Sequence, residues 1–180
     1  IRVARAYTGR ERVAVCGYHG WQDWYIGSTT RNLGVPKAVK ALTHPFTYNN
    51  ADSLKQLFDT YPGEFAAVIL EPLSGAFPEN GFLDKLRTMV SEHGALLVFD
   101  ETITGFRVSL GGAQELFGVM PDLATFGKGI ANGYPLSALV GKAEYMDVVE
   151  KIFFSGTFGG ETLSLAAAKA VLNKLCKEPV

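Results

Sequence analysis

"LLVFDETITGFR", residues 96–107, runs through four apolar residues into two adjacent acids, Asp100 and Glu101. A short apolar run bounded by polar residues suits a strand buried on both faces. A strand that ends in a carboxylate presents it to something, so what Asp100 faces decides how the chain is read. In open α/β sheets, ligands occupy the crevice beyond the carboxyl ends of the strands.

Runs of the same kind recur at 12–17 (RVAVCG), 65–72 (FAAVILEP), 122–127 (DLATFG) and 136–141 (LSALVG), with the opening stretch extended to 95–101. All five are predicted as buried strands. Helical patterns lie between several of them. Asp52 is placed to cap 53–61, Asn80 or Gly81 precedes a helix that Gly94 stops, and 143–152 carries apolar residues at helical spacing. Such alternation predicts a layered α/β sheet. The first residues read as the end of a helix with Gly9 as its stop, and 163–178 reads as a helix closed by Pro179. The chain is therefore expected to be a piece of a longer protein. Residues 18–36 have no clear period, are aromatic and polar, and are expected to form a functional loop.

The 180 residues suffice for one domain, which buries roughly 70% of its unfolded surface. A formal net charge of −1 and the lack of a basic run argue against nucleic acid as a partner. The apolar stretches fall short of the ~20 residues that span a bilayer, and no signal-peptide pattern opens the chain, so no membrane partner and a cytoplasmic location are expected. Two distant cysteines, Cys16 and Cys176, suggest neither a disulfide framework nor a metal site.

Several polar residues fall at predicted strand ends: Tyr18 and His19 after the first, Glu71 after the second, Asp100 and Glu101 after the third, and Lys128 after the fourth. Taken singly, each has a bland reading, since lysines are mostly solvated and aspartates often cap helices. Lys128 stands between Gly127 and Gly129, which would leave room beside its amine for a bulky group. A desolvated lysine at such a place can form a Schiff base with a carbonyl. Paired with a strand-end acid, it suggests a pyridoxal phosphate site, in which the acid keeps the pyridine nitrogen protonated. Two other readings compete. A strand ending in Asp-Glu also suits the Mg²⁺ strand of nucleotide hydrolases, but GxxxxGK[ST] does not occur in these residues. "GKGIANG", with Glu144 and Asp147 downstream, could suggest a dinucleotide fold, yet its spacing is not GxGxxG.

"YHGW", "ILEP", "LLVFDETITGFRVSLGGAQELFGVMPDLATFGKGIANGYPLSALVG" and "SGTFGGETLSLAAA" together resemble the class III pyridoxal-phosphate aminotransferases, particularly the branch similar to glutamate-1-semialdehyde 2,1-aminomutase. The resemblance covers essentially the whole chain. It implies a type I large domain, a three-layer α/β/α sandwich on a mostly parallel sheet, of which 1–180 would be the central part. An N-terminal segment and a C-terminal small domain would lie outside it. It also implies a homodimer with shared active sites, a small amino-group donor and acceptor, and pyridoxal 5'-phosphate as cofactor.

By motif match, Lys128 resembles the Schiff-base lysine and proton shuttle, and Asp100 would face the pyridine nitrogen. Tyr18 would stack on the cofactor ring beside His19, Thr102 would take the other face, and Glu71 matches the acid of the "EP" turn. Gly156 and Thr157 resemble a segment that reaches across a dimer to the cofactor phosphate. Where the family commonly carries an Asn or Gln near the phenolic oxygen, this chain has Ala76 and Ile103. Aminotransferase and aminomutase both fit, an enzyme acting on sugar or polysaccharide precursors is a further alternative, and a folded but non-catalytic piece is another.

Overall fold

The computed structural model describes residues 1–178. Strands β1 (Arg12–Cys16), β2 (Thr43–Pro45), β3 (Phe65–Leu70), β4 (Leu96–Asp100), β5 (Leu123–Phe126) and β6 (Ala138–Gly141) form one sheet in the order β2-β1-β3-β4-β5-β6. The first five are mutually parallel, and β6 runs antiparallel to β5. The chain steps outward from β1 to β2, then returns past β1 to lay down β3. Neighbouring connections thus diverge between β1 and β3, and at such a switch point the loops part and leave a crevice at the strands' carboxyl ends.

Both faces are covered, which is why the strands are almost continuously apolar. Helices α4 (Ala51–Thr60) and α5 (Phe82–Glu92) bury Leu54, Phe58, Leu83 and Leu86 against Val68, Leu70, Leu97 and Phe99. On the opposite face, α1 (Arg2–Thr8), the single-turn α7 (Ala143–Met146) and a 3-10 turn over Asp147–Lys151 cover Val13, Val15, Ile69, Val98 and Leu123. Successive residues of β4 point alternately into the two clusters, as the two-residue period of a strand requires. Each fully buried Leu or Phe contributes about 2 kcal/mol, so the two clusters fix the sheet before any polar contact does. The expected three-layer α/β/α architecture is present.

All five expected strands exist, each trimmed at its ends. The expectation that all are buried fails for β6, an edge strand with Val140 and Gly141 exposed. Strand β2 went unforeseen, since three residues ending in Pro45 carry too little pattern. Helix α4 is capped by Asn50, whose side chain accepts from the Ser53 N–H, rather than by Asp52, which lies inside the first turn. Gly81, in the left-handed region at φ 68°, precedes α5 without a side-chain cap. Gly9 ends α1 at φ 69°, as read from the sequence. The single helix expected at 143–152 is an α-turn followed by the 3-10 turn. The loop at 18–36 contains α2 (Asp23–Ile26), and α3 (Lys37–Lys40) follows it. A short α6 (Ala113–Phe117) was also missed. The last helix, α8, spans Thr162–Lys177; Pro179 lies outside the described residues. Among those residues no helix is long and apolar enough to cross a membrane.

Candidate active site

The carboxyl ends of β1, β3, β4 and β5 open into a cavity of about 940 Å³. Tyr18, His19, Glu71, Asp100, Thr102 and Lys128 all line it, so six residues named from separate stretches of sequence share one site. Parallel strands in register cause this, because each continues past its last paired residue on the same side of the sheet.

Asp100 is the most heavily braced of them. His19 Nδ1 lies 2.8 Å from its Oδ2, while the Thr102 N–H and the Thr125 hydroxyl each donate to Oδ1 at 3.2 Å. Thr125 was not singled out from sequence; it is the register partner of Asp100 on β5, a polar residue in an otherwise apolar strand. Burial works against the charged carboxylate, but donation from His19 and Thr102 outweighs it and holds the carboxyl below its usual range. The His19 side chain is 1% exposed and that of Asp100 12%. Asp100 therefore sits in the cavity wall as an ionised, oriented acceptor.

The second acid, Glu101, points away from the cavity. Its fully buried carboxylate accepts from the Thr104 hydroxyl, the Ala113 N–H and the Gln114 N–H, capping α6. Adjacent strand residues face opposite sides, so one acid of the pair serves the cavity and the other anchors the loop beyond it.

Glu71 braces the turn after β1. Its Oε2 accepts from the Tyr18 N–H and the Ser74 hydroxyl, each at 3.0 Å. Gly17, at φ 100°, leaves the space this carboxylate occupies: a Cβ there would lie 2.7 Å from Oε2. Glu71 thus touches the backbone beneath Tyr18, whose own ring is 61% exposed toward the cavity side.

Lys128 follows β5 at φ 39°, in the left-handed region that side-chain-bearing residues rarely adopt, and opens a 3-10 turn over Lys128–Ile130. It is exposed in this chain and makes no ion pair or side-chain hydrogen bond among the described residues. The flanking glycines lie where the chain packs closely. A Cβ at Gly127 would meet the Thr102 methyl at 3.2 Å, and one at Gly129 the Gly105 carbonyl at 3.3 Å. Their smallness lets the β4 and β5 loops pack together, which brings Thr102 beside the lysine's turn.

Gly156 and Thr157 are not brought to this cavity; they lie in a stretch, 153–160, in which every residue is exposed. Ile103 lines the cavity and is 46% exposed, whereas Ala76 is exposed outside its wall. Cys16 and Cys176 are both free, and burial, then the Glu71 carboxylate, push the Cys16 thiol up to about 11.

A parallel α/β sheet with an acid and a lysine at neighbouring strand ends defines a cofactor-binding type of site. The match to known proteins narrows this: the aminotransferase class-III family model covers residues 1–180, and the chain belongs to that family. It is 45% identical over 175 residues to the 3-aminobutyryl-CoA aminotransferase of Cloacimonas acidaminovorans, covering 93% of this chain and 42% of that protein. It is 42% identical over 193 residues to the glutamate-1-semialdehyde 2,1-aminomutase of Methanospirillum hungatei, covering 97% and 46%. The solved FumI protein of Sphingopyxis sp. MTA144, in its PLP internal aldimine form, superposes with a TM-score of 0.89 at 34% identity, covering 98% of this chain and 44% of that one. The chain therefore spans less than half the length of these relatives, and the fold is that of a type I pyridoxal-phosphate domain.

Proposed function

We propose that this chain forms part of the active site of a pyridoxal-phosphate-dependent enzyme that moves an amino group between small molecules, as an aminotransferase or an aminomutase. The observation that carries this reading is the convergence of an ionised, braced Asp100 with Lys128 in one cavity. The residues present fit the cofactor. Asp100 retains acceptor capacity toward the cavity for a protonated ring nitrogen, and Tyr18 and Thr102 offer an aromatic face and a methyl group in the same wall.

When bound, pyridoxal phosphate supplies a conjugated ring that takes up the electron pair left when a proton leaves the amine-bearing carbon. Asp100 would keep a proton on the ring nitrogen, and His19 helps keep Asp100 charged. Lys128 Nζ would hold the cofactor and would move a proton at the amine-bearing carbon. Glu71 fixes the turn that presents Tyr18. Thr157 and Gly156, remote from this chain's own cavity, serve the phosphate in the second subunit of a homodimer.

The test is to add pyridoxal phosphate to the protein, reduce with borohydride and map the labelled lysine. A single label on Lys128, lost in Lys128→Ala, is the expected result. Label scattered over exposed lysines such as Lys55 and Lys142 overturns it. A second reading, that the chain folds without holding the cofactor by itself, is favoured by the exposure of Lys128; a well-folded chain that takes no label supports it.

A further inference from the structure

We propose that Tyr25 is a positioning residue that orients the Tyr18 and His19 side of the cavity. It rests on the reading of that wall as the seat of an aromatic cofactor. Tyr25 belongs to α2, is 9% exposed, and does not itself line the cavity. Its ring stands edge-on to both residues: 5.7 Å and 87° from Tyr18, 5.4 Å and 78° from His19. Its hydroxyl donates to the Gly17 carbonyl at 2.9 Å. Trp24 completes the packing, 6.0 Å from Tyr25 and stacked on His19 at 6.3 Å and 17°.

Every residue of the turn Gly17–His19 is thereby held. Tyr25 takes the Gly17 carbonyl, Glu71 takes the Tyr18 N–H, and Asp100 takes His19 Nδ1. What remains free is the Tyr18 ring, and Tyr25 is its one aromatic neighbour among the described residues. An exposed tyrosine has several staggered χ1 wells. An edge-to-face contact with a buried, hydrogen-bonded ring favours one of them. Burial, and after it the Glu71 carboxylate, push the Tyr25 hydroxyl above its ordinary range, so it remains a donor through the neutral region. The side chain reaches no ligand, and its effect passes through the two rings it touches.

The experiment compares wild type, Tyr25→Phe and Tyr25→Leu, without and with pyridoxal phosphate. In the ligand-free protein, side-chain NMR of Tyr25→Leu is expected to show Tyr18 averaging over χ1 rotamers and faster exchange of the His19 ring N–H. Pyridoxal phosphate affinity should fall about ten-fold in Tyr25→Leu, from loss of the aromatic pairs, and about three-fold in Tyr25→Phe, from loss of one hydrogen bond. In a Tyr18→Leu background the further change Tyr25→Leu should cost only about three-fold, because the pair with Tyr18 is already gone while the Gly17 hydrogen bond is still lost.

Unchanged Tyr18 rotamers and His19 exchange in Tyr25→Leu overturn the proposal, as does equal weakening with and without the Tyr18 ring. If Tyr25→Leu does not fold, Tyr25→Phe decides: faster amide exchange at Gly17 and Tyr18 supports the proposal, and wild-type exchange overturns it. If the wild-type protein takes no label on Lys128, the cofactor reading fails, and the ligand-free NMR alone decides the role of Tyr25.

Discussion

His19 places Nδ1 2.8 Å from Asp100 Oδ2 and Nε2 3.1 Å from the Cys16 carbonyl. The imidazole faces the Asp100 carboxylate with one ring nitrogen and the end of the first strand with the other. His19 is thus locked between β1, which ends at Cys16, and β4, which ends at Asp100.

Replacing His19 with Leu, which has no donor, should therefore change how stability depends on pH. The Asp100 carboxyl is held below its ordinary value in the folded chain, so its contribution is present above the unfolded value and is lost as pH falls through the folded one. Without the imidazole the folded value rises. The acid loss of stability should then begin at higher pH than in wild type, with about 2 kcal/mol lost near neutrality from the missing buried donor. Urea unfolding at a series of pH values checks this, and coincident acid limbs would contradict it.

Lys128 sits at φ 39°. The left-handed conformation costs residues with a Cβ about 1 kcal/mol that glycine does not incur. Lys128→Gly should accordingly be more stable than Lys128→Ala by about that amount, although neither variant can take the label. Equal denaturation midpoints for the two would show that the backbone at 128 is not strained.

Glu101 and Asp100 are neighbours with opposite expectations. Glu101→Ala leaves the Ala113 and Gln114 N–H groups and the Thr104 hydroxyl without their acceptor, and should cost about 3 kcal/mol. Asp100→Asn keeps the shape and should cost less, while sharply weakening pyridoxal phosphate binding. Chemical denaturation and a cofactor titration on both variants separate the structural acid from the functional one.

Thr157 lies outside the cavity of its own chain. If it serves a second subunit, Lys128→Ala and Thr157→Ala proteins should each be impaired alone, yet regain up to about a quarter of wild-type activity when mixed as unfolded chains and refolded together. A random mixture makes half of its dimers hybrid, and each hybrid carries one site with both residues intact. No recovery in the mixture would place Thr157 in the site of its own subunit or outside the site altogether.

Strand existence was legible because each run reflects local periodicity, and because sheets covered on both faces demand apolar residues on both. Boundaries and short elements were not. Nothing local distinguishes Asn50 from Asp52 as the cap of α4, since both side chains suit the position and only the entry path of the chain selects one. Strand β2 forms because β1 offers it an open edge, not through any pattern of its own.

The sequence by itself determined the buried strands, the α/β alternation and the polar residues at their carboxyl ends, because these follow from periodicity and residue chemistry along the chain. Only the tertiary structure decided their partners. It turned Asp100 toward His19 and Glu101 toward α6, filled the space at Gly127 with the Thr102 methyl, and set Tyr25 behind Tyr18 and His19. Partner choice depends on which strand lies beside which and in what register, and hydrogen bonds between residues far apart in sequence form only after the apolar faces have fixed that arrangement.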